Sequence, residues 1–206
     1  MHFSSNYTRV TISPRSRPGG PETYYVQIIL TVALEINMLT AGVNTVQLMT
    51  LIQNALNRHA GGAHRIEAQP YQVTWTLRVV DRSVVQSGRA LGVSLVADNV
   101  LTGHNANGLF AQTERGLLYV SRIILGGGFA RQALSPNRSV AQAGLRGFGN
   151  TAAHEVGHSQ RIQHQAGTLM DDTNTERLDR TMSDAQVYEI LQRHLPPEPD
   201  RPIPRV

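Results

Sequence analysis

Residues 150–164 read NTAAHEVGHSQRIQH and contain the pattern HExxH at His154, Glu155 and His158. On an α-helix, residues four apart lie one above the other on the same face, so two imidazoles at this spacing can hold one metal ion. Glu155 comes three residues before His158, where its carboxylate can reach a water molecule on that ion. The segment therefore predicts a metal-binding helix, and the rest of the chain is interpreted around it.

A third histidine, His164, follows His158 by six residues, which lets the chain leave the helix and return a ligand from the other side of the metal. Zinc with three protein ligands keeps its fourth position for water and lowers the pKa of that water to about 7. Glu155 would then accept the proton as hydroxide attacks a polarised carbonyl. HExxH by itself arises by chance in roughly one chain in a hundred of this length, so the added histidine strengthens the prediction.

The composition is that of an ordinary globular protein, since 40% of the 206 residues are hydrophobic and 17% are charged. This length suits one domain with a substantial core. The longest apolar run, residues 26–34, is shorter than the roughly 18 residues of a membrane-spanning helix. The first residues show no signal-peptide pattern, so we expect a cytoplasmic protein or export by a non-classical route.

The charged and sulfur-containing residues limit the possible ligands and partners. There are no cysteines, so any metal must bind through nitrogen or oxygen. The net charge is +4, but the arginines are scattered without a basic run, and we therefore expect no nucleic-acid partner. All 19 basic residues are arginine. Genome composition, evasion of lysine modification in a host cell and protection from self-cleavage are three open interpretations of the missing lysines.

Proline and glycine mark the two ends of the predicted domain. Residues 11–23 contain three prolines and two glycines, so residues 1–23 are interpreted as a turn-rich lead-in segment. Half of the ten prolines lie between residues 196 and 204, which indicates an extended Pro-rich tail at 196–206. The sequence therefore predicts one domain over residues 24–195.

Within that domain, apolar periodicity predicts strands and helices. Five strands are predicted before residue 126, at residues 24–34, 73–79, 91–95, 109–112 and 116–125. Asn44 is expected to cap a helix whose apolar face has members three and four residues apart, namely Leu48, Leu51, Ile52, Ala55 and Leu56. Ser183 and Gln186 form a capping box that predicts a final helix.

The spacing of His154, Glu155, His158 and His164 resembles the signature HExxHxxGxxH of the metzincin peptidases, which is followed by a tight turn containing methionine. The sequence GTLM at residues 167–170 is similar to that methionine turn. The resemblance implies a zinc endopeptidase that acts on peptide or protein substrates, with the three histidines as metal ligands and Glu155 as general base. A monomer is expected.

The resemblance also implies a fold. Metzincins are α+β proteins with a twisted, mostly parallel sheet, a backing helix, an active-site helix and a small C-terminal lobe ending in a helix. By this resemblance, Met170 forms an apolar floor beneath the metal. Leu109, Phe110 and Ala111 belong to an antiparallel edge strand that pairs with an extended peptide substrate.

One residue departs from the family pattern. Arg161 stands where metzincins have a glycine in a left-handed turn, a conformation that costs a non-glycine residue about 1 kcal/mol or more. We therefore expect the turn before His164 to differ from that of the family.

Other interpretations of the site remain open. GTLMD at residues 167–171 also resembles the GTxxD of aspzincins, which would make Asp171 the third ligand, and Glu176 could be the glutamate ligand of a gluzincin-like site. A different class of function is a catalytically inactive binding module that contains zinc. Outside the motif, loops or helix ends are the expected positions of three histidines, His59, His64 and His104.

Overall fold

The computed structural model describes residues 7–15, 23–36, 45–66, 69–96, 108–115, 118–171 and 180–194, which form seven strands and five helices. The strands are β1 (Thr8–Arg15), β2 (Thr23–Ile36), β3 (Gly62–Ile66), β4 (Gln69–Val79), β5 (Leu91–Val96), β6 (Gly108–Arg115) and β7 (Leu118–Gly126). The helices are α1 (Thr45–His59), α2 (Ser83–Gln86), α3 (Gly127–Ala133), α4 (Arg138–Ser159) and α5 (Asp184–His194).

The strands form one mixed sheet in the order β3-β4-β2-β5-β7-β6, with β1 beside the first part of β2. The four central strands, β4, β2, β5 and β7, run parallel to one another. The outer strands β3 and β6 are antiparallel to their neighbours. This confirms the predicted mixed α and β architecture, in which a helix follows β2 and another follows the sheet.

The core lies between the sheet and the two long helices α1 and α4. Inward-facing residues of β2 alternate along the strand and are almost completely buried, as are those of β4 and β5; they include Val26, Ile28, Leu30, Val73, Trp75, Val93 and Leu95. Helix α4 contributes Phe148, Ala152 and Val156 to the same cluster. Burying each large apolar side chain stabilises the fold by about 1.5–3 kcal/mol, so the core fixes α4 against the sheet.

Side chains of α1 also complete the hydrogen bonding of β4 beyond the end of β3. The amide of Asn57 donates to the carbonyl of Trp75 at 2.9 Å and accepts from its N–H at 2.8 Å, while Gln53 accepts from the N–H of Leu77 at 2.9 Å. Buried main-chain groups need such partners. Helix α1 therefore substitutes for a neighbouring strand along this part of the edge.

Two strands differ from the sequence prediction. All five predicted strands are present, but residues 8–15, which we placed in the lead-in, form β1, and β3 was missed. In β1, Val10 and Ile12 pack on the core, and Pro14 lies near the strand end, where an edge tolerates it. Strand β3 has five residues and begins at Gly62, which has a φ of 98°. The predicted tail at 196–206 lies outside the described residues.

None of the helices in the described ranges is long and apolar enough to span a membrane.

Candidate metal centre

Helix α4 carries the HExxH pattern in its second half. The helix begins after Asn137, whose side-chain oxygen accepts from the N–H groups of Ser139 and Val140 at 3.1 and 3.4 Å. From residue 148 onward, most of its residues are buried, and the helix packs against α1, α3, β6 and β7. His154 and His158 therefore lie one turn apart on a helix that packing holds in place.

The three predicted histidine ligands converge. The Nε2 atom of His158 is 3.0 Å from Nε2 of His154 and 3.0 Å from Nε2 of His164. Nitrogen ligands at 2.0–2.1 Å from a tetrahedral ion lie about 3.3 Å apart, which is close to these separations. The ligand atoms of the group all lie within 4.8 Å of one another, so the group could hold one metal ion.

Main-chain carbonyls orient the two helix-borne imidazoles. Nδ1 of His154 is 2.9 Å from the carbonyl oxygen of Leu169, and Nδ1 of His158 is 3.1 Å from that of Ile162. Because a carbonyl only accepts, each Nδ1 carries a proton, and in the neutral imidazole each Nε2 then presents its lone pair to the common point. Lone pairs facing one another at this distance repel, and a cation between them relieves the repulsion. The donor set therefore fits a metal that prefers nitrogen ligands.

The turn after α4 keeps the left-handed backbone that we expected Arg161 to change. Arg161 has a φ of 66°, so that expectation is wrong. Its N–H donates to the carbonyl of His158 at 2.8 Å, and the N–H of Ile162 donates to that of Gly157 at 3.0 Å. These are the two hydrogen bonds of a Schellman C-cap, and Ile162, at the position after the left-handed residue, is buried. The cap outweighs the strain at Arg161 and directs the chain back towards His164.

Met170 packs directly against α4. A Cβ atom built on Gly157 would lie 2.3 Å from Sδ of Met170 and 2.9 Å from its Cε. Gly157 stands between Glu155 and His158 in the sequence, so the fully buried Met170 lies under the turn of helix that carries the metal-binding pattern. Only a glycine permits this approach without displacement.

The segment containing Met170 is a turn with its own hydrogen bonds. The N–H of Asp171 donates to the carbonyl of Thr168 at 3.1 Å, and the N–H of Gly167 donates to the Asp171 carboxylate at 2.8 Å. The same carboxylate pairs with the guanidinium of Arg180. Asp171 thus stabilises the turn, and the group identified within the described ranges as able to hold a metal consists of the three histidines.

Comparison with protein-family models, with curated proteins and with solved structures gives no match to this chain. The functional interpretation therefore depends on the residues of the site themselves.

Two further parts of the predicted site can be placed. Glu155 is buried on α4 beside His154. Leu109, Phe110 and Ala111 lie in β6, whose main chain pairs with β7 at the edge of the sheet, and α4 packs against β6. The predicted antiparallel edge strand is confirmed, and its role in substrate binding stays a prediction. Glu176 lies outside the described residues.

Two other histidines of the described ranges, His59 and His64, do not belong to the group that could hold a metal. His59 is the last residue of α1, as predicted for a helix end, and its Nδ1 is 3.1 Å from the carbonyl oxygen of Arg180. His64 lies in β3 rather than in a loop or at a helix end, because the edge strand containing it was missed. Its Nδ1 is 2.9 Å from the carboxylate of Asp184. His104 lies outside the described residues.

Sequence reasoning missed the carbonyls of Leu169 and Ile162. They are main-chain acceptors, so the identity of the residue gives no signal for them. Their positions follow only from the backbone of the turn and of the C-cap. The apolar type of Leu169 and Ile162 could have predicted that both residues are buried, as they are. It could not have predicted what their carbonyls bind.

Proposed function

We propose that this chain is a zinc-dependent endopeptidase of the metzincin type. The observation that carries the proposal is the convergence of His154, His158 and His164 around one point, with the buried carboxyl residue Glu155 beside the first ligand. The order of elements supports it, since a mostly parallel sheet with an antiparallel edge strand precedes α4, and a methionine turn and a final helix follow.

A zinc ion held by these residues supplies Lewis-acid chemistry, acidifying water and polarising a peptide carbonyl. In this mechanism, the carboxylate of Glu155 accepts the proton of the attacking water and passes it to the nitrogen of the leaving amine. Because Nδ1 of His154 and of His158 each faces a carbonyl, Nε2 is the ligand atom of each ring in its neutral form. The edge of β6 that faces away from β7 binds the substrate backbone in extended form.

The geometry favours His164 over Asp171 as the third ligand. Nε2 of His164 faces Nε2 of His158 at 3.0 Å, whereas the carboxylate of Asp171 bonds to Gly167 and pairs with Arg180. Among the described residues, the ligand atoms that converge are those of the three histidines, and Asp171 is not one of that group. The aspzincin alternative is therefore less well supported.

The proposal is tested by Glu155→Gln. Zinc content after dialysis should stay stoichiometric, while hydrolysis of a quenched peptide library should fall roughly 100- to 10,000-fold, because the amide cannot accept the proton. Glu189→Gln, the same change at a partly exposed position of α5, should leave zinc content and peptide hydrolysis unchanged. Normal turnover in Glu155→Gln would contradict the mechanism. A wild-type protein that binds zinc but hydrolyses nothing would favour the binding-module alternative.

A further inference from the structure

The hydroxyl of Thr168 is a junction of three hydrogen bonds within the buried methionine turn. It donates to the carbonyl of Gln165 at 2.9 Å, and it accepts from the N–H of Met170 at 3.1 Å and from the side-chain amide of Gln186 at 3.1 Å. A hydroxyl has one proton and two lone pairs, so the capacity of this group is fully used. Thr168 therefore links two residues of the turn and one residue of α5 at a single atom.

Gln186, in the first turn of α5, is held in a single orientation. Its side-chain Oε1 accepts from the main-chain N–H of Ser183 at 3.0 Å, and the main-chain N–H of Gln186 donates to the Ser183 hydroxyl at 3.3 Å. This is the predicted capping box. Because Ser183 N–H bonds only to an acceptor, the oxygen of the amide is assigned to Ser183 and its NH₂ group must face Thr168. The side chain is buried, with 3% of its surface exposed.

The choice of glutamine at this position has a specific consequence. Glutamate completes a capping box as well as glutamine does, but a carboxylate cannot donate a hydrogen bond to Thr168. The capping box alone therefore does not explain why residue 186 is glutamine and not glutamate. The hydrogen bond that its amide donates to Thr168 does.

From Thr168, the contacts reach two of the candidate ligands. Gln165 directly follows His164, and its N–H donates to the carbonyl of Met170 at 3.1 Å. The carbonyl of Leu169, one residue after Thr168, orients His154 through Nδ1. The loop that carries His164 and the carbonyl that orients His154 are thus joined through the Thr168 hydroxyl.

We infer that Gln186 and Thr168 are positioning residues through which the last helix, α5, sets the metal affinity of the site. This inference rests on the metal site of the proposed function. Hydrogen bonds of buried groups are costly to lose, and outer partners of metal ligands typically change metal affinity about 10- to 100-fold. The link lies one contact beyond such partners, so the lower end of this range is expected.

The experiment measures the zinc dissociation constant of the full chain by competition with a chromophoric chelator, together with the visible spectrum of the Co²⁺ form. Gln186→Met and Thr168→Val should weaken zinc binding about 10-fold and alter the Co²⁺ spectrum. Thr168→Ser keeps the hydroxyl and should restore wild-type values. Gln192→Met, the same change at an exposed position on α5, should have no effect.

Gln186→Glu separates positioning from helix capping, and it also covers the case in which Gln186→Met does not fold. It keeps the acceptor for Ser183 but removes the donor to Thr168, so zinc affinity should still fall. The double variant Gln186→Met with Thr168→Val should lose no more affinity than Thr168→Val alone, since both remove the same bond. Unchanged affinity and spectrum in folded Gln186 and Thr168 variants would overturn the inference, even if their unfolding temperatures fell.

The metal readout distinguishes this inference from the proposed function. If the wild-type chain binds zinc without hydrolysing peptides and the variants bind it weakly, the endopeptidase proposal fails and the inference stands. If the chain hydrolyses peptides and the variants bind zinc normally, the inference alone fails. A wild-type chain that binds no zinc overturns both.

Discussion

The three candidate ligands are held in two different ways. His154 and His158 lie on α4, and the Nδ1 atom of each is bonded to a main-chain carbonyl. His164 is exposed and lies in the loop after α4, whose path depends on the left-handed Arg161 and on the bonds of Thr168. The helix places His154 and His158 on one face by its periodicity, and main-chain carbonyls then orient their rings. The position of His164 depends instead on a turn whose hydrogen bonds reach as far as α5.

The largest effect should come from removing the loop-borne ligand. Zinc needs its third protein ligand, so His164→Ala should lose stoichiometric zinc and hydrolysis together, like His154→Ala. The loss of affinity should exceed the roughly 10- to 100-fold typical of outer partners. Zinc content after dialysis and peptide turnover measure both effects.

Asp171→Ala is the matched control for this prediction. It removes the carboxylate bonded to Gly167 and Arg180, which should cost about 1–3 kcal/mol of unfolding free energy while zinc stays bound. The opposite result, with full zinc in His164→Ala and none in Asp171→Ala, would assign the third ligand to Asp171 and remove the metzincin interpretation.

The helix-borne half of the site depends on close packing at Gly157. Gly157→Ala places a methyl group against Met170, and such overpacking typically costs about 1–3 kcal/mol. Met170→Ala should cost about 2–5 kcal/mol through the cavity that it leaves. In the double variant, the contacts with Met170 are gone and only Cε of Met182, at 3.0 Å, stays close to the added methyl, so the two costs should not add. Denaturant unfolding of the four proteins measures the coupling, and simple additivity would contradict the contact.

The helix-borne ligands, His154 and His158, and the loop that carries His164 also differ in how far the sequence could predict them. The spacing of His154 and His158 was sufficient, because helical periodicity alone places both on one face. Main-chain contributions could not be predicted, since the Leu169 carbonyl and the left-handed Arg161 depend on tertiary packing rather than on side-chain type. The fold, too, could be predicted only in part from residue types. Strand β1 was missed because the prolines and glycines of residues 14–21 outweighed the short alternation of Val10 and Ile12, which pack on the core.

A smaller effect is expected from relieving the strain at Arg161, in the turn that leads from α4 to His164. Arg161→Gly removes a left-handed penalty of about 1–2 kcal/mol, partly offset by the greater freedom of glycine in the unfolded chain. We expect a gain of up to about 1 kcal/mol in unfolding free energy, with zinc affinity unchanged. Arg58→Gly, at an exposed position in the last turn of α1, should instead lose about 0.5–1 kcal/mol. A loss of stability in Arg161→Gly would mean that the arginine side chain supports the turn.

The smallest effect concerns pH and the end of α4. His194, in the last turn of α5, has its Nε2 2.8 Å from the side-chain oxygen of Gln160, and that amide also donates to the hydroxyl of Thr8 at 3.1 Å. Burial lowers the pKa of His194 below the ordinary histidine value, and the positive charge of Arg193 lowers it further. The folded chain therefore takes up this proton at a lower pH than the unfolded chain does.

The sign of the pH effect follows from that order of protonation. Above the ordinary value of about 6.5, both states are neutral at His194 and its contribution to stability is complete; as pH falls below it, the unfolded state is protonated first and the contribution is lost. His194→Gln keeps a donor for Gln160 but cannot titrate. The stability of the wild-type chain relative to His194→Gln should thus decrease between about pH 7.5 and about pH 5.5, a window that brackets the ordinary pKa. Because the other histidines are common to both proteins, their titration cancels in the difference. A difference that stays constant over this range would show that folding does not lower the pKa of His194.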